Sequence, residues 1–344
     1  MKEIIEIPRP HRTTSKVCIG DVIQELDSYL PDNKIVVITD SNLHRLYRPL
    51  IEKYEYIVIG LGETNKTLLT IDEIYNQLIE MGVDRHSYIV GIGGGIVTDI
   101  TGFVASTYMR GLGFGFVATS LLAQVDASVG GKNGCNVGGY KNMVGTFNQP
   151  DFVLCDTSML STLPEREVKA GISEIIKAGI IADKNLFEKF ENTSFAELYS
   201  NKEILREVIT DSVKVKARVV EMDEKEMGER KKLNLGHTFA HAVEKSTSDF
   251  LHGEAVAIGM VMASEVACGL GKLSKEDQER IIRSIKNMNL PTECSIDKRT
   301  LLKAMRSDKK KDQASIDVII PCKIGHCEII KMSFEELEKL FLEN

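Results

Sequence analysis

Residues 88–99 read Tyr88-Ile-Val-Gly-Ile-Gly-Gly-Gly-Ile-Val-Thr-Asp99, an apolar run that ends in a glycine turn and leads into a helical pattern. Because glycine has no side chain, the backbone of such a turn can approach a phosphate closely. The N-terminus of the following helix presents N–H groups and a partial positive charge to it. The turn departs from GxGxxG, because Ile96 occupies the last glycine position. It predicts either dinucleotide binding or a tight strand-to-helix connection without a ligand.

Four more apolar runs share this continuous hydrophobic character, at residues 35–39, 56–60, 115–119 and 152–156. Continuous rather than alternating hydrophobicity predicts strands that are covered on both faces, and hence a largely parallel sheet. From about residue 158 to 290 the pattern becomes helical, with charged faces and few strand formers. The sequence therefore predicts an α/β fold, with a Rossmann-like parallel-sheet domain over residues 1–157 followed by an all-helical domain over residues 158–344.

The composition is that of a soluble globular protein, with 27% charged and 43% hydrophobic residues among 344. A net charge of -7 argues against nucleic-acid binding but allows a local basic pocket for a small anion. The first residues lack the pattern of a signal peptide, and no apolar run is long enough to span a membrane. We therefore expect a cytoplasmic protein with no membrane partner.

The seven cysteines are scattered and include no CxxC pair. An odd, dispersed set is typical of reduced thiols in a cytoplasm, so we expect no disulfides. Cys322, His326 and Cys327 lie close together in a Pro- and Gly-containing segment, which leaves a second metal site as an alternative.

A polar segment follows the glycine turn, from Thr119 to Asn136 and on to residues 141–142. Two glycines precede Lys132, and Asp126 lies six residues upstream, so the segment could bring an ammonium and a carboxylate to a ligand. It lacks the spacing of a P-loop. A surface hairpin is the alternative.

Three of the seven histidines lie at positions 237, 241 and 252. His237 and His241 are four apart in a helical pattern, so both project from one helix face, at a spacing typical of metal ligands. His252 could complete a site from another direction, and Glu174 could supply an oxygen. The stretch is not HExxH, which excludes a metalloprotease of that type. The alternatives are polar surface for the histidines and a surface ion pair between Glu174 and Lys177.

Taken together, several segments in order from about residue 35 to the C-terminal tail resemble the 3-dehydroquinate synthase family. They are Gly93-Gly-Gly-Ile-Val-Thr-Asp99, Tyr108-Met-Arg110-Gly, Ala123-Gln-Val-Asp126-Ala-Ser-Val-Gly-Gly-Lys132, Lys141-Asn142-Met-Val-Gly, Thr162-Leu-Pro-Glu-Arg-Glu, Glu174-Ile-Ile-Lys177, Asn234-Leu-Gly-His-Thr-Phe and His252-Gly-Glu.

The resemblance implies an NAD-binding α/β domain, a helical metal-binding domain and an active site in the cleft between them. Glu174, His237 and His252 would be the ligands of Zn²⁺, or of Co²⁺, and His241 would instead face the substrate. Arg110 would reach the active site of a neighbouring subunit, which implies a homodimer. The other residues of the substrate pocket would be Asp126, Lys132, Asn142, Lys177, Lys216, Arg230, Asn234 and one of Lys309 or Lys310.

The resemblance also implies which residues contact NAD, and most of them flank the predicted strands. They are Asp40, Gly62, Glu63, Thr64, Asn65, Lys66, Gly94, Gly95, Ile96, Val97, Thr98, Asp99, Thr119, Ser120, Lys132, Lys141 and Thr162. The implied activity converts 3-deoxy-D-arabino-heptulosonate 7-phosphate, a phosphorylated sugar acid, into 3-dehydroquinate and phosphate in the shikimate pathway. It proceeds by transient oxidation with NAD, elimination of phosphate, re-reduction and intramolecular aldol cyclisation.

Three departures from the family pattern accompany this resemblance. Thr98 stands where the family usually has glycine, Gly139-Tyr140 precedes Lys141 where Leu-Gly is common, and Glu229 precedes Arg230 where leucine is usual. The alternatives are another sugar-phosphate cyclase of the 2-deoxy-scyllo-inosose or valiolone type, a metal-dependent polyol dehydrogenase, or a catalytically silent NAD-binding protein.

Overall fold

The computed structural model describes residues 3–7, 14–308 and 315–343. The chain divides into two units, Met1–Leu163 and Pro164–Asn344. The boundary predicted near residue 158, where the sequence pattern becomes helical, lies a few residues before this division. Asp156 ties the intervening segment to the first unit, because its carboxylate accepts hydrogen bonds from the backbone of Val22, Ile23 and Ser158, each at 2.8 Å.

The first unit is built on a seven-stranded sheet. Its strands, in the order in which they lie in the sheet, are β1 (Glu3–Ile7), β2 (Ser15–Gly20), β9 (Phe152–Asp156), β6 (Gly113–Ala118), β5 (Tyr88–Gly93), β3 (Ile35–Asp40) and β4 (Glu55–Ile59). Only β1 pairs in antiparallel fashion, and every other pairing is parallel. All residues of β5 and β9 are buried, as expected for strands covered on both faces.

Five helices of this unit connect and cover the strands. They are α1 (Leu26–Tyr29), α2 (Ser41–Leu46), α3 (Arg48–Ile51), α4 (Leu68–Glu80) and α5 (Gly95–Thr107). Helix α5 is the direct continuation of β5, and it packs against a separate hairpin of β7 (Lys132–Val137) and β8 (Tyr140–Phe147).

The five strands predicted from hydrophobic runs are present as β3, β4, β5, β6 and β9. The hydrophobic runs did not predict β1 or β2, and the β7–β8 hairpin was predicted only as an alternative. The hairpin sequence is rich in glycine and asparagine, which have low intrinsic strand propensity. Side-chain anchoring holds it instead, because Asn133 Nδ2 donates to the carbonyl oxygens of Gly131 at 3.0 Å and Asn148 at 2.9 Å.

The second unit is mainly helical. Its helices are α6 (Glu165–Ala182), α7 (Lys184–Glu191), α8 (Phe195–Ser200), α9 (Lys202–Met222), α10 (His237–Ser246), α11 (His252–Gly269), α12 (Lys275–Asn287), α13 (Lys298–Asp308) and α14 (Phe334–Glu343). Most residues of both α6 and α11 are buried, so these two helices form the centre of the unit.

An antiparallel hairpin adds to the predicted all-helical domain. Its strands are β10 (Ser315–Lys323) and β11 (His326–Ser333). The expectation of an all-helical domain is wrong in this detail: helical periodicity ends near residue 290, and residues 316 and 318–320 are buried in β10. The main assignment, an α/β domain followed by a helical one, is confirmed.

The structure also bears on the predictions about membrane spans and cysteines. Among the described residues, no helix is both long enough and apolar enough to cross a membrane. All seven cysteines are free. The thiol of Cys327 is buried and faces the carbonyl oxygen of Ile180 at 3.7 Å. Cys322, His326 and Cys327 do not form a group with metal-binding geometry among the described residues.

Candidate active site

The glycine turn between β5 and α5 is tightly enclosed. Gly94 is the N-cap residue of α5, and no side chain caps the helix there. A Cβ atom on Gly94 would lie 3.2 Å from Ser120 Oγ, and one on Gly95 would lie 3.0 Å from Ala127 Cβ. There is therefore no room for side chains at Gly94 and Gly95. The uncapped N–H groups at the start of α5 remain available to an anion such as a phosphate.

Thr98 fits this turn without disturbing it. Its side chain is buried, and its hydroxyl donates to the carbonyl oxygen of Gly95 at 3.1 Å, within α5 itself. Val97 is also buried, so both side chains point into the unit. A ligand at the turn would meet these two residues through the backbone, and the substitution of threonine for the usual glycine leaves the turn intact.

A charged cluster lies beside the start of α5. Lys66 is buried, and its ammonium forms an ion pair with Asp99 and donates to Asn142 Oδ1 at 2.6 Å. Asn136 extends the cluster, because its Nδ2 donates to Glu63 Oε1 at 2.8 Å and its Oδ1 accepts from the backbone N–H of Asn142 at 2.8 Å. Asn142, expected at the substrate, thus lies among the residues expected at NAD.

Burial of the carboxylate raises the pKa of Asp99 to about 6. Desolvation is the largest cause, and the neighbouring charges of Glu63 and Asp126 act in the same direction, whereas Lys66 opposes them. The site therefore holds an acid whose charge can change near neutral pH.

The other residues expected at NAD occupy the same unit. Asp40 caps α2, because its Oδ1 accepts from the backbone N–H groups of Asn42 and Leu43, both at 2.9 Å. Thr162 Oγ1 lies 2.7 Å from the hydroxyl of Tyr47. The remaining positions lie at strand ends and in loops. Thr119 is buried, Ser120 is half-buried, and Gly62, Thr64, Lys132 and Lys141 are exposed.

Asp126 and Arg110 lie in irregular backbone. Asp126 belongs to a short π-helix, Ala123–Ala127, a conformation that is often found at functional sites. Arg110 is exposed and has a φ of 71°, directly after Met109 with a φ of 49°. Two successive non-glycine residues in the left-handed region store backbone strain, which clusters at functional segments.

Glu174, His237 and His252 converge in the second unit. The Nε2 atoms of His237 and His252 each lie 3.9 Å from Glu174 Oε1, and the three ligand atoms lie within 4.8 Å of one another. Within residues 3–7, 14–308 and 315–343, this is the only group of histidine, cysteine and acidic side chains with metal-binding geometry. Two imidazoles and one carboxylate are the donor set of an open catalytic zinc site.

The environment of these side chains fits a metal ion. Glu174 is buried, and its Oε1 has no hydrogen-bond partner, a costly arrangement that a second cation beside Lys177 would relieve. Burial and the nearby charges of Lys177, His252 and His241 hold the pKa of His237 well below its usual value, which favours the neutral imidazole that a metal requires. Lys177 is buried and forms an ion pair with Glu174.

Hydrogen bonds at the far side of each ring orient the two imidazoles. His237 Nδ1 lies 3.3 Å from the carbonyl oxygen of Leu235, and His252 Nδ1 lies 3.3 Å from Glu244 Oε1. Donation from Nδ1 leaves the Nε2 lone pair directed towards Glu174 in both cases.

A cavity of about 390 Å³ adjoins this group. Its lining includes Asn234, His237 and His241, so the helix face that carries the two histidines lies at the cavity wall. The rings of His237 and His241 are 5.6 Å apart, and His241 lies outside the metal-binding group. Asn234 Nδ2 donates to Glu226 Oε1 at 2.6 Å.

Two other expected substrate residues, Lys216 and Arg230, are buried cations of the second unit. Lys309 and Lys310 lie outside the described residues.

Two side chains, Glu226 beside Asn234 and Glu244 beside His252, were not predicted from the sequence as site residues. Glu244 lies seven residues after His237 on α10, two helical turns along the same face, so its spacing was a usable signal. Glu226 gave no such signal, because it lies in a loop with a φ of 59° and reaches Asn234 only in the folded chain.

Comparison with known protein families covers both units. Residues 56–170 match the family model described as 3-dehydroquinate synthase N-terminal, and residues 171–311 match 3-dehydroquinate synthase C-terminal. The 3-dehydroquinate synthase of Thermoanaerobacter sp. (strain X514) is 39% identical over 333 residues, which cover 94% of this chain and 93% of the relative. That of Helicobacter pylori (strain ATCC 700392 / 26695) is 41% identical over 338 residues, covering 96% and 95%.

Solved structures show the same fold. A 2-deoxy-scyllo-inosose synthase complexed with carbaglucose-6-phosphate, NAD+ and Co2+ matches with a TM-score of 0.87 at 24% identity, covering 99% of this chain and all (100%) of the other. A 2-epi-5-epi-valiolone synthase from Streptomyces hygroscopicus subsp. jinggangensis 5008, with NAD+ and Zn2+ bound, matches with a TM-score of 0.85 at 23% identity, covering 98% of each chain. On the sequence relatives and the two matched family models, this chain belongs to the 3-dehydroquinate synthase family.

Proposed function

We propose that this chain converts 3-deoxy-D-arabino-heptulosonate 7-phosphate to 3-dehydroquinate and phosphate, as a carbon–oxygen lyase that uses NAD and a divalent metal. Family membership supports the activity. The single structural observation that carries it is the convergence of Glu174, His237 and His252 beside a cavity. The fold neighbours crystallised with NAD+ and Co2+ or Zn2+ support the choice of cofactors.

Glu174, His237 and His252 would hold the metal, which when bound supplies a Lewis acid that polarises a substrate hydroxyl and the ketone derived from it. The buried cations Lys177, Lys216 and Arg230 suit a substrate that carries both a phosphate and a carboxylate. Their fixed positions would orient these anions and stabilise charge as phosphate leaves. Asn234 and His241, at the cavity wall, would bind substrate hydroxyls.

The glycine turn and the Lys66–Asp99 pair would hold NAD, which when bound accepts a hydride from the substrate and later returns it. The uncapped start of α5 offers backbone N–H groups to the pyrophosphate. The pair at Lys66 and Asp99 would anchor the adjoining part of the cofactor, with Asn136 and Glu63 fixing the loop around it. We further propose a homodimer in which Arg110 completes the partner's active site, and a cytoplasmic location.

The rival cyclases are less well supported, because the fold neighbours of that kind are only 23–24% identical to this chain. A polyol dehydrogenase would release NADH in proportion to turnover. A cyclase regenerates NAD in each cycle and releases no net NADH. A measurement of NADH absorbance during turnover therefore distinguishes the two classes.

The test measures phosphate release from 3-deoxy-D-arabino-heptulosonate 7-phosphate with catalytic NAD and Zn²⁺, while NADH absorbance is followed. Phosphate in molar excess over NAD, without accumulation of NADH, is the expected result. His252→Ala removes one of three metal ligands, and should abolish both bound metal and turnover while circular dichroism stays unchanged. Absence of phosphate release from metal-loaded parent protein would reject the proposed substrate, and full activity of His252→Ala would reject the metal site.

A further inference from the structure

Glu244 is placed to orient a metal ligand from behind. Its side chain is only 13% exposed, and its Oε1 lies 3.3 Å from Nδ1 of His252, the ring nitrogen that faces away from Glu174. We propose that Glu244 is a positioning residue of the metal site, which fixes the tautomer and ring orientation of His252. This inference rests on the metal site proposed above, and adds a residue that none of the sequence motifs assigned to it.

The need for such a residue follows from the chemistry of imidazole. Either ring nitrogen can carry the proton, and the ring can turn about its bond to Cβ. A carboxylate that accepts from Nδ1–H holds the proton on that nitrogen and directs the Nε2 lone pair forwards, 3.9 Å from Glu174 Oε1. It also increases the basicity of the imidazole, and with it the strength of the bond to a metal.

The close packing of α10 on α11 fixes the distance between Glu244 on α10 and His252 on α11. Gly236 precedes α10, and a Cβ atom there would lie 2.8 Å from the backbone nitrogen of Met260 and 3.0 Å from the carbonyl oxygen of Val256, both in α11. The two backbones are therefore in close contact. Because α10 carries both His237 and Glu244, this one helix contributes a ligand directly and orients the second ligand through hydrogen bonding.

Glu254 fixes the start of α11, where His252 is the first residue. Glu254 Oε2 accepts from the backbone N–H of Leu251 at 2.8 Å, and its two oxygens accept from Arg166 at 2.7 and 2.6 Å. One glutamate thus holds the backbone directly before His252, and another lies against its side chain. A solvated ion pair without a role in metal binding would need neither the burial of Glu244 nor this fixed geometry.

The experiment compares Glu244→Ala and Glu244→Gln with the parent protein. Zinc affinity is measured by competition with a chromophoric chelator, and the free energy of unfolding is measured in EDTA. Loss of an outer partner of a metal-bound histidine costs about 10–100-fold in metal affinity, which is the result expected for Glu244→Ala. Glu244→Gln keeps a neutral acceptor and should lose less affinity.

The matched control is Glu265→Gln, on the same helix as His252. Glu265 Oε2 lies 3.5 Å from Lys298 Nζ, and Glu265 is outside the metal-binding group. The zinc affinity of Glu265→Gln should therefore equal that of the parent. Parental zinc affinity in Glu244→Ala would overturn the role of Glu244 alone. Weaker zinc binding that is matched by an equal loss of stability in EDTA would overturn it in favour of a structural role. A parent protein that binds no zinc would overturn the metal site together with this inference.

Discussion

At the scale of single residues, Asp99 shows how burial sets chemistry. Its carboxylate lies against the buried ammonium of Lys66, yet its pKa is raised to about 6 from an ordinary 3.8. Desolvation therefore outweighs the attraction of the lysine. A group whose pKa is raised on folding stabilises the fold below its unfolded pKa, and this contribution is lost as the pH rises through the folded pKa.

Asp99→Asn removes this titration and leaves a neutral side chain of similar shape. The stability of the parent relative to Asp99→Asn should therefore fall as the pH rises from about 4 to about 7, by on the order of 3 kcal/mol. Urea denaturation without NAD, at a series of pH values, measures the difference. Any constant cost of leaving Lys66 with an altered partner cancels in the pH dependence. A difference that stays flat with pH, or one that changes in the opposite direction, would contradict the raised pKa.

At the scale of elements, the packing of α10 on α11 determines where the imidazoles of His237 and His252 meet. Gly236 adopts a φ of 79° at the N-cap of α10 and lies against the α11 backbone. Two separate requirements thus fall on one residue: a left-handed backbone conformation and the absence of a Cβ atom. Gly271, in the same unit, has a left-handed conformation but open space around its Cα, so it allows the cost of the conformation to be measured without the packing.

Gly236→Ala should be destabilising through both strain and overpacking. The overpacking part should be about 1–3 kcal/mol, because the atoms nearest to the new Cβ are backbone atoms of α11 that cannot move aside. Gly271→Ala is the matched control, since Gly271 has a φ of 67° and nothing within 4 Å of its hypothetical Cβ atom. Urea denaturation of both variants isolates the packing term as their difference. We also expect weaker zinc binding in Gly236→Ala only. Equal destabilisation by the two substitutions would show that backbone conformation alone requires glycine at position 236.

At the scale of the whole molecule, the expected residues divide into two sets. The residues proposed for NAD lie in Met1–Leu163, and the metal-binding group lies in Pro164–Asn344. Arg110 belongs to the first unit and lies in strained, exposed backbone, which suits a residue that acts outside its own subunit. In a two-fold symmetric dimer, the Arg110 of each subunit would contact the active site of the other.

Mixing two inactive variants tests the proposed dimer. Arg110→Ala and His252→Ala should each be inactive alone, but a heterodimer would contain one complete active site. After co-refolding of equal amounts, half of the dimers are mixed, and activity should recover to about a quarter of the parental value. Phosphate release measures it, and a mixture of each variant with itself is the control. No recovery from a mixture shown to contain heterodimers would place Arg110 in the active site of its own subunit.

Strands, helices and the glycine turn were predictable because each depends on residues that are neighbours in the chain. Hydrophobic runs identified β3, β4, β5, β6 and β9, and helical spacing identified α6 and α10. The β7–β8 hairpin was predicted only as an alternative, because Asn133 holds it through contacts with Gly131 and Asn148 rather than through strand propensity. Its stability depends on packing, which no local pattern records.

The sequence by itself determined five strands of the sheet, the position of the glycine turn and, through motifs in register, the family. It also placed His237 and His241 on one helix face, but helical spacing could not say which of them meets Glu174. The packing of α6, α10 and α11 decided that: it brings His237 and His252 to Glu174 and leaves His241 at the cavity wall. It likewise placed Glu244 behind His252. Contacts between residues distant in the chain depend on how helices pack, and only the tertiary structure contains that information.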